Sequence, residues 1–154
     1  MKQFIFSFAA GICNTSVLSR IAGPLLIHPF YHTVSDEYLP HIHPLYTPKS
    51  VGGFKQDLDF LSGHFDFLCI KEVKRYAQPS DNLKKNACHL SFDDGLRGVY
   101  ETVLPVLFQK GIPATVFINS AFVDNRRLFY RHKAALLIDR LNHHSLSKAT
   151  QAEI

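Results

Sequence analysis

The sequence predicts an α/β fold built on parallel strands, and three observations carry that prediction. The apolar run Ala87-Cys88-His89-Leu90-Ser91-Phe92 has the length of a buried strand and ends abruptly at Asp93-Asp94-Gly95. Beyond it Val99, Tyr100, Val103, Leu104, Leu107 and Phe108 recur at helical spacing, and Gly111 supplies a helix stop. Ile112-Pro113-Ala114-Thr115-Val116-Phe117-Ile118 then reads as a further strand. Strand, helix and strand joined by short connections make a right-handed parallel unit. With 154 residues, 46% hydrophobic and 19% charged, the chain is long enough for one domain with a real core.

From the amino terminus, the apolar segment Phe4 to Cys13 is too short to span a bilayer and about as long as a signal-peptide core. Ile5, Phe8, Ala9, Ile12, Cys13 and Val17 fall at helical spacing, Gly23-Pro24 is a stop, and no small-x-small cleavage site follows. Residues 1–23 are therefore expected to form an amphipathic helix on the domain or on a membrane face, with a signal-like segment as the alternative, and a cytoplasmic or membrane-associated location is favoured over export. Residues 24 to 34 form a short apolar run broken by prolines, the first strand expected. His41 and His43 lie in a polar loop between Pro40 and Pro44, where exposure is expected. Phe54, Leu58, Leu61 and Phe65 mark one face of an amphipathic helix. A brief strand is expected from Phe67 to Ile70, then a helix end and loop through the polar stretch Lys74 to Asn86. Pro105 is expected to kink its helix unless that helix starts late, near Thr102. A last helix is predicted over Leu128 to Leu141, and residues 142–153 are polar and patternless.

The chemistry concentrates at Leu90-Ser91-Phe92-Asp93-Asp94-Gly95. Asp-Asp-Gly by itself is also ordinary turn composition. Its position decides between the two readings, because sites in parallel α/β folds are built at the carboxyl ends of strands. Two neighbouring carboxylates repel each other unless a cation or a proton relieves them, and a metal is the simplest relief. Successive strand residues point to opposite faces, so both can serve one site only if the strand has bent into a loop, which Gly95 permits. His28 and His32 have the H-x-x-x-H spacing, but Pro29 opposes a helix; in an extended chain they stand roughly 13 Å apart at about 3.3 Å per residue, too far for one ion. His32, at a strand end, is a candidate to line the site, as are Phe92 and Gly95.

Leu90 to Gly95, followed by Val103-Leu104-Pro105-Val106-Leu107 and Gly111-Ile112-Pro113-Ala114-Thr115-Val116-Phe117-Ile118, resembles the polysaccharide deacetylase family, the NodB-homology or carbohydrate esterase family 4 enzymes. The firm part of the resemblance covers about residues 87 to 120. It implies that residues 24–154 are the amino-terminal portion of a distorted (β/α) barrel. It also implies that Asp93 is the general base and Asp94 a ligand of a divalent metal, commonly zinc. The implied reaction is hydrolysis of N-acetyl groups on an amino-sugar polysaccharide, with the metal polarising the amide carbonyl and its bound water attacking. The family completes its metal site with a downstream H-(S/T)-x-x-H motif and adds an arginine motif and a late histidine acid. After Gly95 this chain has only His132 and the pair His143-His144, at other spacings. The domain is thus expected to be truncated before its metal-binding histidines, a fragment inactive when taken alone. The alternative is a non-catalytic remnant or carbohydrate-binding module that keeps the first strands of the fold.

Other classes are disfavoured. The formal charge of +4, from 17 basic and 13 acidic residues, is carried in short clusters such as Lys84-Lys85 and Arg126-Arg127, so no nucleic-acid partner is expected. Cys13, Cys69 and Cys88 lack a C-x-x-C pair and read as free thiols. A phosphohydrolase loop would separate its aspartates by one residue, and here they are adjacent. A barrel lacking its later strands would expose apolar edges, so poor solubility or self-association is expected.

Overall fold

A computed structural model describes residues 24–76 and 84–143. The expected helix over residues 1–23 and the polar stretch 144–153 lie outside the described residues. Six short strands and four α-helices follow in order: β1 (Leu26–Ile27), β2 (Phe30–Tyr31), α1 (Val51–His64), β3 (Asp66–Phe67), α2 (Ile70–Tyr76), β4 (Ala87–Cys88), β5 (Leu90–Phe92), α3 (Leu104–Lys110), β6 (Ala114–Val116) and α4 (Tyr130–His143). A π-helical turn, Val99–Val103, leads into α3, and a 3₁₀ segment, Ser120–Asn125, precedes α4.

All strand pairs are parallel, in two three-stranded sheets of order β1-β4-β3 and β2-β5-β6. Residues 26–31 and 87–92 each contribute one strand to both sheets, so Ala87 to Phe92 is the central segment throughout. It is buried at every position, as a strand covered on both faces should be. The single residue between β4 and β5 is His89, whose N–H still donates to Ile27 O at 3.0 Å. Its ring is buried and its Nε2 lies 2.9 Å from Thr115 Oγ1, a structural histidine inside the sheet.

The main core gathers Phe54 and Leu58 of α1, Leu90 and Phe92 of β5, and Val99, Val103 and Leu107 of the helical segment behind them. Phe92 is fully buried, with its ring centroid 5.8 Å from Tyr31 and 6.0 Å from Phe54. Leu61, Phe65 and Cys88 form a smaller cluster. Burial pushes the Cys88 thiol up to about 11, and Cys69 and Cys88 are free, as the spacing predicts.

Several boundaries differ from expectation. The helix α1 begins three residues earlier than its apolar pattern because Ser50 caps it, accepting from Gly53 N at 3.1 Å, while Asp36 Oδ1 accepts from Val51 N at 2.9 Å. The strand expected to reach Ile70 stops at Phe67: Ile70 opens α2, and Glu72 folds back to accept from Cys69 N at 2.7 Å. Pro105 does not delay its helix to Thr102. The helix runs in π geometry from Val99, and Pro105 falls in the first turn of α3, where its missing N–H costs nothing. Gly111 ends α3 at φ +65, the left-handed stop anticipated. The loop of residues 39–46 is not simply exposed: Ile42 is fully buried, His43 Nδ1 accepts from Leu39 N at 2.8 Å, and His41 is half-buried.

Candidate functional site

The site grows from the carboxyl end of β5. Asp93 continues the strand ladder, donating its N–H to Tyr31 O at 2.9 Å. Asp94 and Gly95 then both take left-handed backbone, at φ +69 and +64. Two successive left-handed residues break the alternation of the strand, so the adjacent carboxylates are not forced to opposite faces. Glycine is required at the second position: a Cβ on Gly95 would lie 2.7 Å from Ile118 Cγ2. Asp94 tolerates the conformation as aspartates do, at a small cost in strain of the kind stored at functional sites.

Strand β2 ends beside β5 and delivers His32 to the same place. His32 Nε2 lies 3.9 Å from Asp94 Oδ2, both side chains partly exposed. The His32 ring packs against Phe30 and Tyr46, with centroids 5.9 Å away in each case. Burial, reinforced by the charge of Asp94, raises the Tyr46 phenol above its ordinary value. His28, four residues before His32, packs instead on His89 with centroids 5.7 Å apart, so the two histidines of the H-x-x-x-H spacing serve different places.

Elements outside the motif also reach the site. His132, near the start of α4, is only 7% exposed and meets His41 edge-on with centroids 5.6 Å apart. Burial lowers its basicity, the charge of Asp94 raises it and His32 lowers it again, so all three share one electrostatic environment. Arg131 beside it also feels Asp94. Sequence reasoning noted His132 only for its wrong spacing; the available signal was its place on the same helical face as Ala135, the other buried residue of α4. Thr33 and Gly98 were missed as well. They touch so closely that a Cβ on Gly98 would lie 2.6 Å from Thr33 Oγ1, which locks the segment after Gly95 against the end of β2.

Asp94 and His32 are suitable donors for a divalent cation, one oxygen and one nitrogen. They are not a complete set. Among the described residues no group of three or more His, Cys, Asp or Glu side chains is arranged to hold a metal ion.

Residues 80–153, which include the whole Asp93-Asp94-Gly95 end of β5, match the family model for polysaccharide deacetylase. Over those residues the chain resembles part of a polysaccharide deacetylase domain. No curated protein matches it by sequence. Among solved structures it is similar to IcaB from Ammonifex degensii, at 24% identity and a TM-score of 0.59, over 77% of this chain and 51% of that one. It is similar to a de-N-acetylase from Aggregatibacter actinomycetemcomitans, at 21% identity and 0.54, over 68% and 42%. Streptococcus pyogenes deacetylase PplD, solved in complex with acetate, follows at 18% identity and 0.55, over 75% and 52%. These likenesses establish the fold, mixed α/β with the parallel strands of a deacetylase (β/α) barrel. The chain spans about half the length of the structures it matches.

Proposed function

We propose that this chain carries the base and one metal ligand of a metal-dependent hydrolase that removes N-acetyl groups from an amino-sugar polysaccharide, as an incomplete fragment of such an enzyme. The observation that carries the reading is the family match spanning a strand end where Asp94 turns left-handed beside His32. Asp93 is the base: it takes a proton from water as the water adds to the amide carbon. The carbon–nitrogen bond then breaks, acetate leaves, and the nitrogen departs on the sugar as an amine that is protonated in water. Asp94, with His32 beside it, is the ligand of a divalent metal, zinc in the first instance. The remaining ligands come from outside the described residues, since those within them do not close a metal site.

The incomplete ligand set favours a second reading, a non-catalytic carbohydrate-binding remnant. Acetate release from N-acetylated chitotetraose, with excess zinc supplied to offset weak metal binding, separates the two. Release that falls at least about 100-fold in Asp93→Asn, the usual contribution of a general base, supports the hydrolase. Where no release occurs, zinc binding that is weakened in Asp94→Asn supports the inactive fragment of a hydrolase, and binding of the tetramer without zinc binding assigns the chain to the remnant.

A further inference from the structure

Helix α4 sits on the domain with its amphipathicity reversed. His132, Ala135 and Asp139 recur at helical spacing and form its inward face. His132 and Ala135 are buried, and the half-buried Asp139 accepts from the Tyr38 hydroxyl at 2.6 Å. Tyr130, Ala134, Leu137 and Leu141 fall on the opposite face, again at helical spacing. All four are exposed, Tyr130 by 70% and Leu137 by 60%, and the exposed Ile138 widens the stripe. Single exposed apolar residues are ordinary, but a continuous stripe of them along one helix marks a surface that something covers.

The rim of the stripe is basic. Lys133 and Arg140 flank it on one side and Arg131 on the other, with Arg126 and Arg127 just ahead of the helix. No carboxylate occurs between Asp124 and Asp139; Asp139 is on the inward face, and Asp124 lies 3.7 Å from Arg126. Among the described residues Lys133, Arg140 and Arg131 have no carboxylate within ion-pair distance. A second copy of the chain would bring the same basic rim against itself. An anionic bilayer matches both features, since its headgroups complement the rim and its acyl region takes the apolar stripe. The 14 residues of α4 span about 21 Å at 1.5 Å per residue, and no helix among the described residues is long and apolar enough to cross a membrane, so the helix would lie on the surface.

We propose that the outward face of α4 docks on an anionic lipid bilayer, with Leu137 and Leu141 inserted below the headgroups and Lys133, Arg140 and Arg131 among the lipid phosphates. The aliphatic stems of the basic residues lie along the stripe while their charged ends reach the headgroups. His132 faces away from the lipid, toward the surroundings of Asp94, so docking brings the candidate site to a membrane surface. The proposal is independent of the hydrolase reading.

The test uses the whole chain carrying Leu137→Trp, which introduces its only tryptophan, with vesicles of phosphatidylcholine alone or mixed with about 30% phosphatidylglycerol. Tryptophan emission should shift to the blue on the anionic vesicles and be quenched by lipids brominated on their acyl chains. Binding should be at least about tenfold tighter than to the neutral vesicles and should weaken as salt is raised. In cosedimentation of the otherwise native chain, Lys133→Gln combined with Arg140→Gln should lower the affinity about 25-fold, two charges at about fivefold each. Leu137→Gln combined with Leu141→Gln should lower it at least about tenfold. All four positions face outward, so thermal unfolding of both pairs should match the native chain. Equal binding to both vesicles, binding that ignores either pair, or emission that does not shift on lipid each overturns the proposal. Blue emission without lipid overturns it as well, assigning the stripe to a second copy where the shift grows with protein concentration and to another part of this chain where it does not.

Discussion

Replacing Gly95 by alanine tests the turn that places Asp94. At φ +64 an L-residue pays about 1–2 kcal/mol for left-handed backbone. The new Cβ also meets Ile118 Cγ2 at 2.7 Å. Ile118 is 68% exposed and can yield, so overpacking adds about 1–2 kcal/mol, toward the low end for crowded sites. Stiffening the unfolded chain returns about 0.5 kcal/mol. The net loss is about 2–3 kcal/mol, read in urea unfolding as a lower midpoint at unchanged slope, shifted by roughly 1–2 M for a slope near 1.5 kcal/mol/M. Ile118→Ala alone should be nearly neutral at an exposed position. In the Gly95→Ala background it should restore the overpacking share, leaving a deficit of about 1 kcal/mol. A Gly95→Ala variant within about 0.5 kcal/mol of wild type would refute the left-handed turn, and a double variant no better than Gly95→Ala would refute the contact with Ile118.

Other outcomes follow from the same geometry. Phe92→Ala, at a fully buried ring between Tyr31 and Phe54, should cost about 3–5 kcal/mol in the same unfolding assay, and a loss below about 1 kcal/mol would contradict its place in the core. Burial holds His41, His89 and His132 below the ordinary imidazole value. The unfolded chain therefore binds protons near pH 6.5 that the folded chain refuses, so stability is complete above that pH and is lost as pH falls through the window. The melting temperature should drop between pH 7.5 and 5.5, less so in His89→Gln; a flat or opposite profile is inconsistent with buried neutral imidazoles. The edge of β6 with Phe117, Ile118 and the strongly exposed Phe108 should drive self-association, and a monodisperse monomer in size-exclusion chromatography speaks against it.

The strand–helix–strand unit from Ala87 to Val116 was legible because its periodicities are strong and its stops, Gly95 and Gly111, sit where positive φ is needed. The apolar face of α1 was legible for the same reason: its spacing alone marks Phe54, Leu58 and Leu61 as buried. What escaped were effects of tertiary contact. Ser50 and Asp36 start α1 through caps that no apolar pattern marks, and the π turn Val99–Val103 carries the helical path up to α3, whose first turn accepts Pro105. At the site, Asp93, Asp94 and the place of His32 could be read from the motif and its strand end. The approach of His132 and Tyr46 depends on how α4 and the 39–46 loop pack, and that of Thr33 on its contact with Gly98, which local pattern does not encode.

The unequal roles assigned to Asp93 and Asp94 are tested most directly by titrating zinc into the acetate-release assay with each carboxylate replaced in turn. Asp93→Asn should lower the maximal rate at least about 100-fold without moving the zinc concentration for half-maximal rate. Asp94→Asn should raise that zinc concentration about tenfold or more. Two variants that behave alike, or a zinc requirement that follows Asp93 and ignores Asp94, would contradict the division into base and ligand.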